Sequence, residues 1–242
     1  MKTALVTGAS RGIGKAIALA LAEDGYEVIL HCVSSIAKAE EVKTTIENAG
    51  GKAKILTADL CDPEQTKVLA QQMGHVDVLV LNASIQIRKS WQDITLEESY
   101  AQLNCNFLSS MVLIQGAVQY MKQQKWGRII TVGSVQEAKP HPDMLIYSSS
   151  KAAQTAMVKS LSLQLANDGI TVNNIAPGVI YTDRNVQVLS DPDYAKKVTD
   201  SIPVGYYGEP KDCAGIVLLL CSEAGRYITG QSIYVDGGKS VQ

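Results

Sequence analysis

The sequence predicts one α/β domain across residues 1–242, a doubly wound parallel sheet of about seven strands with helices on both faces. Three observations carry this expectation. Short β-branched and Leu-rich runs recur along the chain with helix-compatible stretches between them. Several of these runs are apolar nearly throughout instead of alternating, as parallel strands covered on both faces are. The 242 residues, against a prior of about 150 per domain, fit one large α/β unit, with no linker, composition shift or repeat to divide it.

In chain order, Ala4–Thr7 is the first strand, and it runs through the loop Thr7-Gly8-Ala9-Ser10-Arg11-Gly12-Ile13-Gly14 into an amphipathic helix over Gly14–Glu23, with Ile17 and Leu21 inward. Glu27–Cys32 is the second strand and Ser35–Asn48 the second helix, stopped by Gly50-Gly51. Ala53–Thr57 and Asp77–Leu81 supply the third and fourth strands. A long amphipathic segment, Leu96–Lys122, precedes the fifth strand at Arg128–Val132, and another, Ile146–Leu165, precedes the sixth at Thr171–Ile175. Ser232–Val235 is the seventh. The repeating βα order implies right-handed crossovers. Between Val179 and Gly230 the rhythm breaks: Asp191-Pro192, Pro203 and Glu209-Pro210 punctuate two short helices and no strand. Residues 183–212 are expected to form a lid over a site.

Composition narrows the function classes. With 46% apolar and 19% charged residues, the chain is neither disordered nor fibrous. Twenty-two Lys plus Arg against 24 Asp plus Glu, and no basic tract, speak against nucleic acid. The cysteines (Cys32, Cys61, Cys105, Cys213, Cys221) are odd in number and scattered, and His31, His75 and His141 lie far apart, so neither a disulfide framework nor a metal site is signalled. Met1 and Lys2 lead directly into the first strand, and no apolar run approaches the roughly 20 residues of a bilayer span. A soluble cytoplasmic protein with no membrane partner is expected.

The glycine loop is the first functional signal. Glycines at Gly8, Gly12 and Gly14 permit a tight strand-to-helix turn and let backbone N–H groups and the positive helix end approach a pyrophosphate. Plain turns also use glycines; the position after the first strand and before the first helix is what makes this a dinucleotide loop. An acidic side chain at the end of the second strand would pair with the adenosine ribose. Here that strand ends His31-Cys32-Val33-Ser34-Ser35, and Glu27 is at its other end. Arg11 with Ser34 and Ser35 can instead meet a 2′-phosphate, so NADP(H) is preferred, NAD(H) being the alternative.

Tyr147 and Lys151 are one turn apart at the start of a helix, on one face. Tyr207 and Lys211 repeat the spacing, but Gly208 and Pro210 interrupt that segment. The strand Ile129–Val132 ends in Gly133-Ser134, delivering a hydroxyl to the sheet edge where α/β proteins bind ligands. A serine that merely caps the strand end is the bland alternative for Ser134. An unperturbed phenol, with a pKa of about 10, exchanges protons poorly near neutrality, and a neighbouring ammonium favours its phenolate.

Together these residues resemble the short-chain dehydrogenase/reductase family over essentially the whole chain. The loop from Thr7 to Gly14, Asp59-Leu60, Asn82-Ala83, Asn106, Ser134, Tyr147, Lys151, Ala176-Pro177-Gly178 with Thr182, and Thr229-Gly230-Gln231 through Asp236-Gly237-Gly238 fall in the family's order. Arg11-Gly12-Ile13-Gly14, Gly127-Arg128-Ile129-Ile130 and Gly169-Ile170-Thr171-Val172 are most similar to bacterial 3-oxoacyl-acyl-carrier-protein reductases and related carbonyl reductases. The resemblance implies a Rossmann-like fold and NADPH-dependent reduction of a carbonyl, a 3-oxoacyl thioester or related ketone, to a secondary alcohol. Tyr147 would give the proton, Ser134 hold the oxygen, Lys151 contact the nicotinamide ribose and Asn106 hold a relay water. It implies cofactor contacts from Gly8, Ser10, Arg11, Gly12, Ile13, Gly14, Ser34, Ser35, Asp59, Leu60, Asn82, Ala83, Ser84, Pro177, Gly178, Ile180 and Thr182, besides Tyr147 and Lys151.

The chain departs from the family pattern in places. Leu81-Asn82-Ala83-Ser84 stands where Asn-Asn-Ala-Gly is usual. Asn167-Asp168 precedes Gly169 where a basic residue commonly docks an acyl carrier protein, and Asp168 would repel such a partner; Lys122, Lys125, Arg88 and Lys89 are a compensating basic edge. Tyr206 stands where an Arg is common. The polar residues Gln136, Glu137, Lys139, His141 and Asp143 suit a hydroxylated substrate or face water, leaving open a small ketone or a sugar or polyol oxidised with NAD(P). A dinucleotide-sensing protein without chemistry is the non-enzymatic alternative; it would lose Tyr147 or Lys151. Leu96–Lys122 and Ile146–Leu165 carry more apolar surface than one sheet face needs, and in the family they pair across a two-fold, so a homotetramer is expected.

Overall fold

The computed structural model describes residues 1–183, 185–186 and 190–242. Seven strands form one parallel sheet: β1 (Thr3–Val6), β2 (Glu27–Cys32), β3 (Lys52–Thr57), β4 (Val78–Leu81), β5 (Gly127–Val132), β6 (Ile170–Pro177) and β7 (Ser232–Val235). Their spatial order is β3-β2-β1-β4-β5-β6-β7. The order reverses between β1 and β4, where Val6 pairs with Val80, and a cleft opens above that point at the carboxyl ends of the strands.

The near-continuous apolar strands are explained by helices on both faces. On one side Val6, Val28, Leu30, Val78, Val80 and Ile130 pack against α1 (Gly12–Glu23), α2 (Ile36–Asn48) and α8 (Pro210–Cys221). On the other, Leu5, Ile29, Leu79, Leu81 and Ile129 pack against α3 (Pro63–Gln72), α5 (Ser109–Gln124) and α6 (Leu145–Leu165). Successive residues of one strand thus serve two cores, and no position needs to be polar. Strand boundaries fall within a residue or two of expectation. Asp77, expected in β4, instead receives the Thr3 amide on Oδ2 at 2.7 Å.

The expected helix Leu96–Lys122 is α4 (Leu96–Leu103), a π-helical turn Asn104–Leu108 and α5. Thr95 starts it with a capping box, its Oγ1 accepting from Glu98 N while Glu98 receives the Thr95 amide. Between Val179 and Gly230 the described residues contain two main helices, α7 (Pro192–Asp200) and α8, and residues 184 and 187–189 of the expected lid lie outside the described residues. No helix among the described residues is long and apolar enough to cross a membrane.

Candidate active site

The glycine loop is built for close approach. Gly8 and Gly12 take left-handed φ values of 65° and 56°, and Arg11, Gly12 and Ile13 line the cleft at the N-terminus of α1. No side chain caps this turn and no carboxylate stands in it, so its N–H groups and positive helix end suit an anionic pyrophosphate. Gly14 serves packing: a Cβ there would lie 2.2 Å from Gly8 O and 2.5 Å from Asn82 Nδ2. Asn82 fixes the loop from β4, its Nδ2 donating to Thr7 O at 2.8 Å and Gly8 O at 3.2 Å. Thr7 Oγ1 accepts from Asn82 N and Ala83 N, both at 2.9 Å, joining the ends of β1 and β4.

Arg11, Ser34 and Ser35 line one end of the cleft with Val33, and no carboxylate closes β2 there, since Glu27 pairs with Lys52 at the far end. Ser10, Gly8, Leu60, Asn82, Ala83 and Ser84 line its floor, and Pro177, Gly178, Ile180 and Thr182 its β6 side. These residues fit a dinucleotide carrying a 2′-phosphate. Asp59 is outside the lining; its Oδ1 accepts from Cys61 N at 2.9 Å and shapes the turn after β3.

Ser134 and Tyr147 line the same cleft, of about 560 Å³. Ser134 lies two residues past the end of β5, and its Oγ accepts from Gln136 N at 3.2 Å, so its own O–H is the part left to donate. Tyr147 lies in the first turn of α6, and Lys151 sits beneath it, only 1% exposed, with Nζ 5.7 Å from the phenol ring centroid. Lys151 Nζ donates to Val132 O at 2.8 Å and Gln154 Oε1 at 3.0 Å. Tyr207 and Lys211 form no such pair: Tyr207 stacks on Tyr181 and Lys211 pairs with Glu209 at 2.7 Å.

Asn106 is fully buried in the π-helical turn and outside the cleft lining. Its Oδ1 accepts from Ile85 N at 2.9 Å, and its Nδ2 donates to Ile85 O at 2.9 Å and Ser150 Oγ at 3.1 Å. It ties the loop after β4 to α6.

Three contributors escaped the sequence reading. His31 is completely buried and supports the glycine loop, Nδ1 accepting from Gly8 N at 3.3 Å while Nε2 faces Ala58 O at 3.0 Å. Gln154, also buried, links Lys151 to Ser110 through an Nε2–Oγ bond of 3.2 Å. Arg88, read only as part of a basic edge, lines the cleft. Of the polar residues after Ser134, Gln136 and His141 line the cleft, whereas Glu137 turns inward to Asn174, Thr155 and Ser232.

The chain as a whole is similar to known proteins. The family model described as enoyl-(acyl carrier protein) reductase matches residues 8–240. The 3-oxoacyl-[acyl-carrier-protein] reductase FabG of Staphylococcus aureus is 37% identical, over 98% of this chain and 97% of that protein. The glucose 1-dehydrogenase of Gluconobacter oxydans is 38% identical, over 98% of this chain and 91% of that one. Among solved structures, a 3-oxoacyl (acyl-carrier-protein) reductase of Agrobacterium tumefaciens with NADP bound superposes with a TM-score of 0.93 at 36% identity, covering 98% of this chain and 93% of that one. A parallel seven-stranded sheet, a glycine loop at its reversal point and this degree of likeness agree: the chain is an oxidoreductase and belongs to the short-chain dehydrogenase/reductase family.

Proposed function

We propose that the protein interconverts a carbonyl and a secondary alcohol with NADP(H) as hydride carrier, in the reductive direction on a 3-oxoacyl thioester or related ketone. The observation that carries this reading is the placement of Tyr147 and Ser134 on one cleft with the glycine loop, above the buried Lys151. When bound, the reduced nicotinamide supplies the hydride that the carbonyl carbon accepts. Ser134 donates a hydrogen bond to the carbonyl oxygen and holds it as negative charge develops. Tyr147 protonates that oxygen, and the Lys151 ammonium favours the phenolate left behind. The Asn106 side chain bonds Ile85 and Ser150, so in this reading a relay water would be held by the polar groups of Asn106 that these bonds leave over.

NADP(H) is supported by Arg11, Ser34 and Ser35 at a β2 end without a carboxylate, and by the NADP bound in the Agrobacterium relative. NAD(H) remains the weaker fit. The acyl-thioester reading is supported by the 3-oxoacyl reductases among the relatives and by the state of Asp168. That carboxylate does not stand as an uncompensated repulsive charge: Lys125 Nζ lies 2.7 Å and Lys122 Nζ 3.5 Å from it, leaving the edge net positive toward an acidic carrier. Oxidation of a sugar is the second reading, supported by the glucose 1-dehydrogenase relative and by polar Gln136 and His141 in the lining. We further infer a homotetramer assembled on α4, α5 and α6.

Initial rates of NADPH consumption with acetoacetyl thioester, beside a small diketone and a polyol with NADP⁺, separate the readings. Tyr147→Phe is expected to remove turnover while leaving NADPH affinity nearly intact, and Lys151→Ala to lower both. Retention of most of the rate in Tyr147→Phe would overturn the assignment.

A further inference from the structure

Beyond Ser134 the cleft is lined by Gln136, His141, Arg88 and Lys239. A hydrogen-bonded chain runs from the hydroxyl to the guanidinium. Gln136 N donates to Ser134 Oγ at 3.2 Å, Gln136 Oε1 accepts from His141 N at 2.7 Å, and Arg88 Nη2 sits 3.2 Å from His141 Nε2.

His141 is oversupplied with donors. Its Nδ1 faces the Asp143 N–H at 3.1 Å while Nε2 faces Arg88 Nη2. A neutral imidazole has one acceptor nitrogen and a protonated one has none, so at least one contact sets donor against donor. A negatively charged acceptor that bridges guanidinium and ring from the cleft side, receiving a hydrogen bond from each, offsets that conflict. Arg88 holds its acidic neighbour loosely, Nε to Asp143 Oδ2 at 3.4 Å, and Nη1 takes part in neither contact.

The anion already beside this pair is Asp143, outside the cleft lining, with Oδ2 3.4 Å from Arg88 Nε and 3.9 Å from His141 Nδ1. Among the described lining residues the one carboxylate is Asp183, paired with Lys38 at 3.1 Å. Burial, with Lys139 nearby, holds the Lys239 ammonium below its ordinary range. The nearby Asp236 carboxylate receives the Gly238 and Ser240 amides.

We propose that the substrate is a carbonyl compound that also bears a carboxylate, received by Arg88 with His141 beside it. The inference rests on the reading that Ser134 and Tyr147 act on a carbonyl. The intervening Gln136 and His141 put several bonds between the two groups of the substrate. The Arg88 fork matches a carboxylate bidentately, which Lys in its place would not.

Acetoacetate, 4-oxopentanoate and 5-oxohexanoate, each beside its methyl ester and beside acetoacetyl-coenzyme A, provide the test. At least one acid should exceed its ester in kcat/KM by about tenfold or more, and Arg88→Gln should raise KM for that acid by a similar factor and for its ester by far less. Calorimetry of the same acids on Tyr147→Phe protein should show the same Arg88 dependence without turnover. The proposal is overturned if acids and esters perform alike, if Arg88→Gln depresses both equally, or if acetoacetyl-coenzyme A alone responds to Arg88, the anion then being a carrier phosphate. Arg88-dependent binding of an acid that wild type does not reduce would keep the carboxylate site and sink the carbonyl chemistry instead.

Discussion

His31 shows how one buried side chain can set the state of the cofactor loop. The Ala58 carbonyl beside Nε2 fixes the proton there, which leaves Nδ1 as the acceptor for Gly8 N–H. Burial holds the imidazole below its ordinary pKa. As pH falls, the unfolded chain therefore takes up the proton first, so this contribution is complete above the ordinary value of about 6.5 and is lost below it, toward the lower folded-state value. A second proton would also set Nδ1–H against Gly8 N–H. The expected outcome is that NADP⁺ affinity weakens as pH falls toward the lowered folded-state value, where the native imidazole itself takes up the proton, more in wild type than in His31→Asn. Titration calorimetry on both proteins between pH 8 and 5.5 checks this, the ligand's own ionisation cancelling in the comparison. Parallel pH profiles would exclude the role. Neither His31 nor Gln154 announces itself in sequence, because a buried polar residue is defined by partners such as Gly8, Ala58, Ser110 and Lys151 that only the tertiary fold supplies. The placement of Ser134, Tyr147 and Lys151 is legible because strand end, helix start and one-turn spacing are local signals.

At the scale of elements, the strands were readable for the same reason that the sheet is stable: both faces of β4 and β5 are buried, so the apolar pattern has nothing to alternate with. The π-helical turn at Asn104–Leu108 was not, since widening one turn inside a helix changes no composition and little periodicity. It nevertheless places Cys105 in the cleft lining and Asn106 against Ile85. The end of α5 offers a direct energetic test. Lys125 is left-handed at φ 51°, the one non-glycine residue of positive φ among those described, a conformation that costs an L-residue about 1–2 kcal/mol. Lys125→Gly should therefore raise stability by about 1 kcal/mol, a rise of about 2–4 °C in Tm for a chain of this size. Lys125→Ala, which loses the exposed pair with Asp168 while keeping the Cβ, should give no such gain. A lower Tm for the glycine variant would mean that the contact with Asp168 outweighs the backbone strain.

For the whole molecule, the sheet accounts for one side of α5 and α6, α4 packs on α6, and this region carries Leu96, Tyr100, Leu108 of the π-helical turn, Met111, Leu145 and Leu163 exposed, Leu163 at 83%. Apolar surface of this kind on neighbouring helices suits association, and helix α6 connects it to the proposed chemistry: Tyr147 and Lys151 lie near the start of the helix that ends in Leu163 and its neighbours. Assembly through this face would hold α6 against a second α6 and fix the angle at which Tyr147 enters the cleft. Light scattering on the purified protein should then give close to four times the 26.0 kDa chain mass. Leu163→Glu places a charge in the apolar contact and should yield a smaller species that keeps the far-ultraviolet spectrum of the native fold, because the residue contributes little to the core of its own chain. Its specific activity should fall on dilution in step with dissociation, whereas the wild-type value stays constant over the same range. A wild-type protein of single-chain mass, or a fully active Leu163→Glu monomer, would show that the face on α4, α5 and α6 plays no part in ordering the active site.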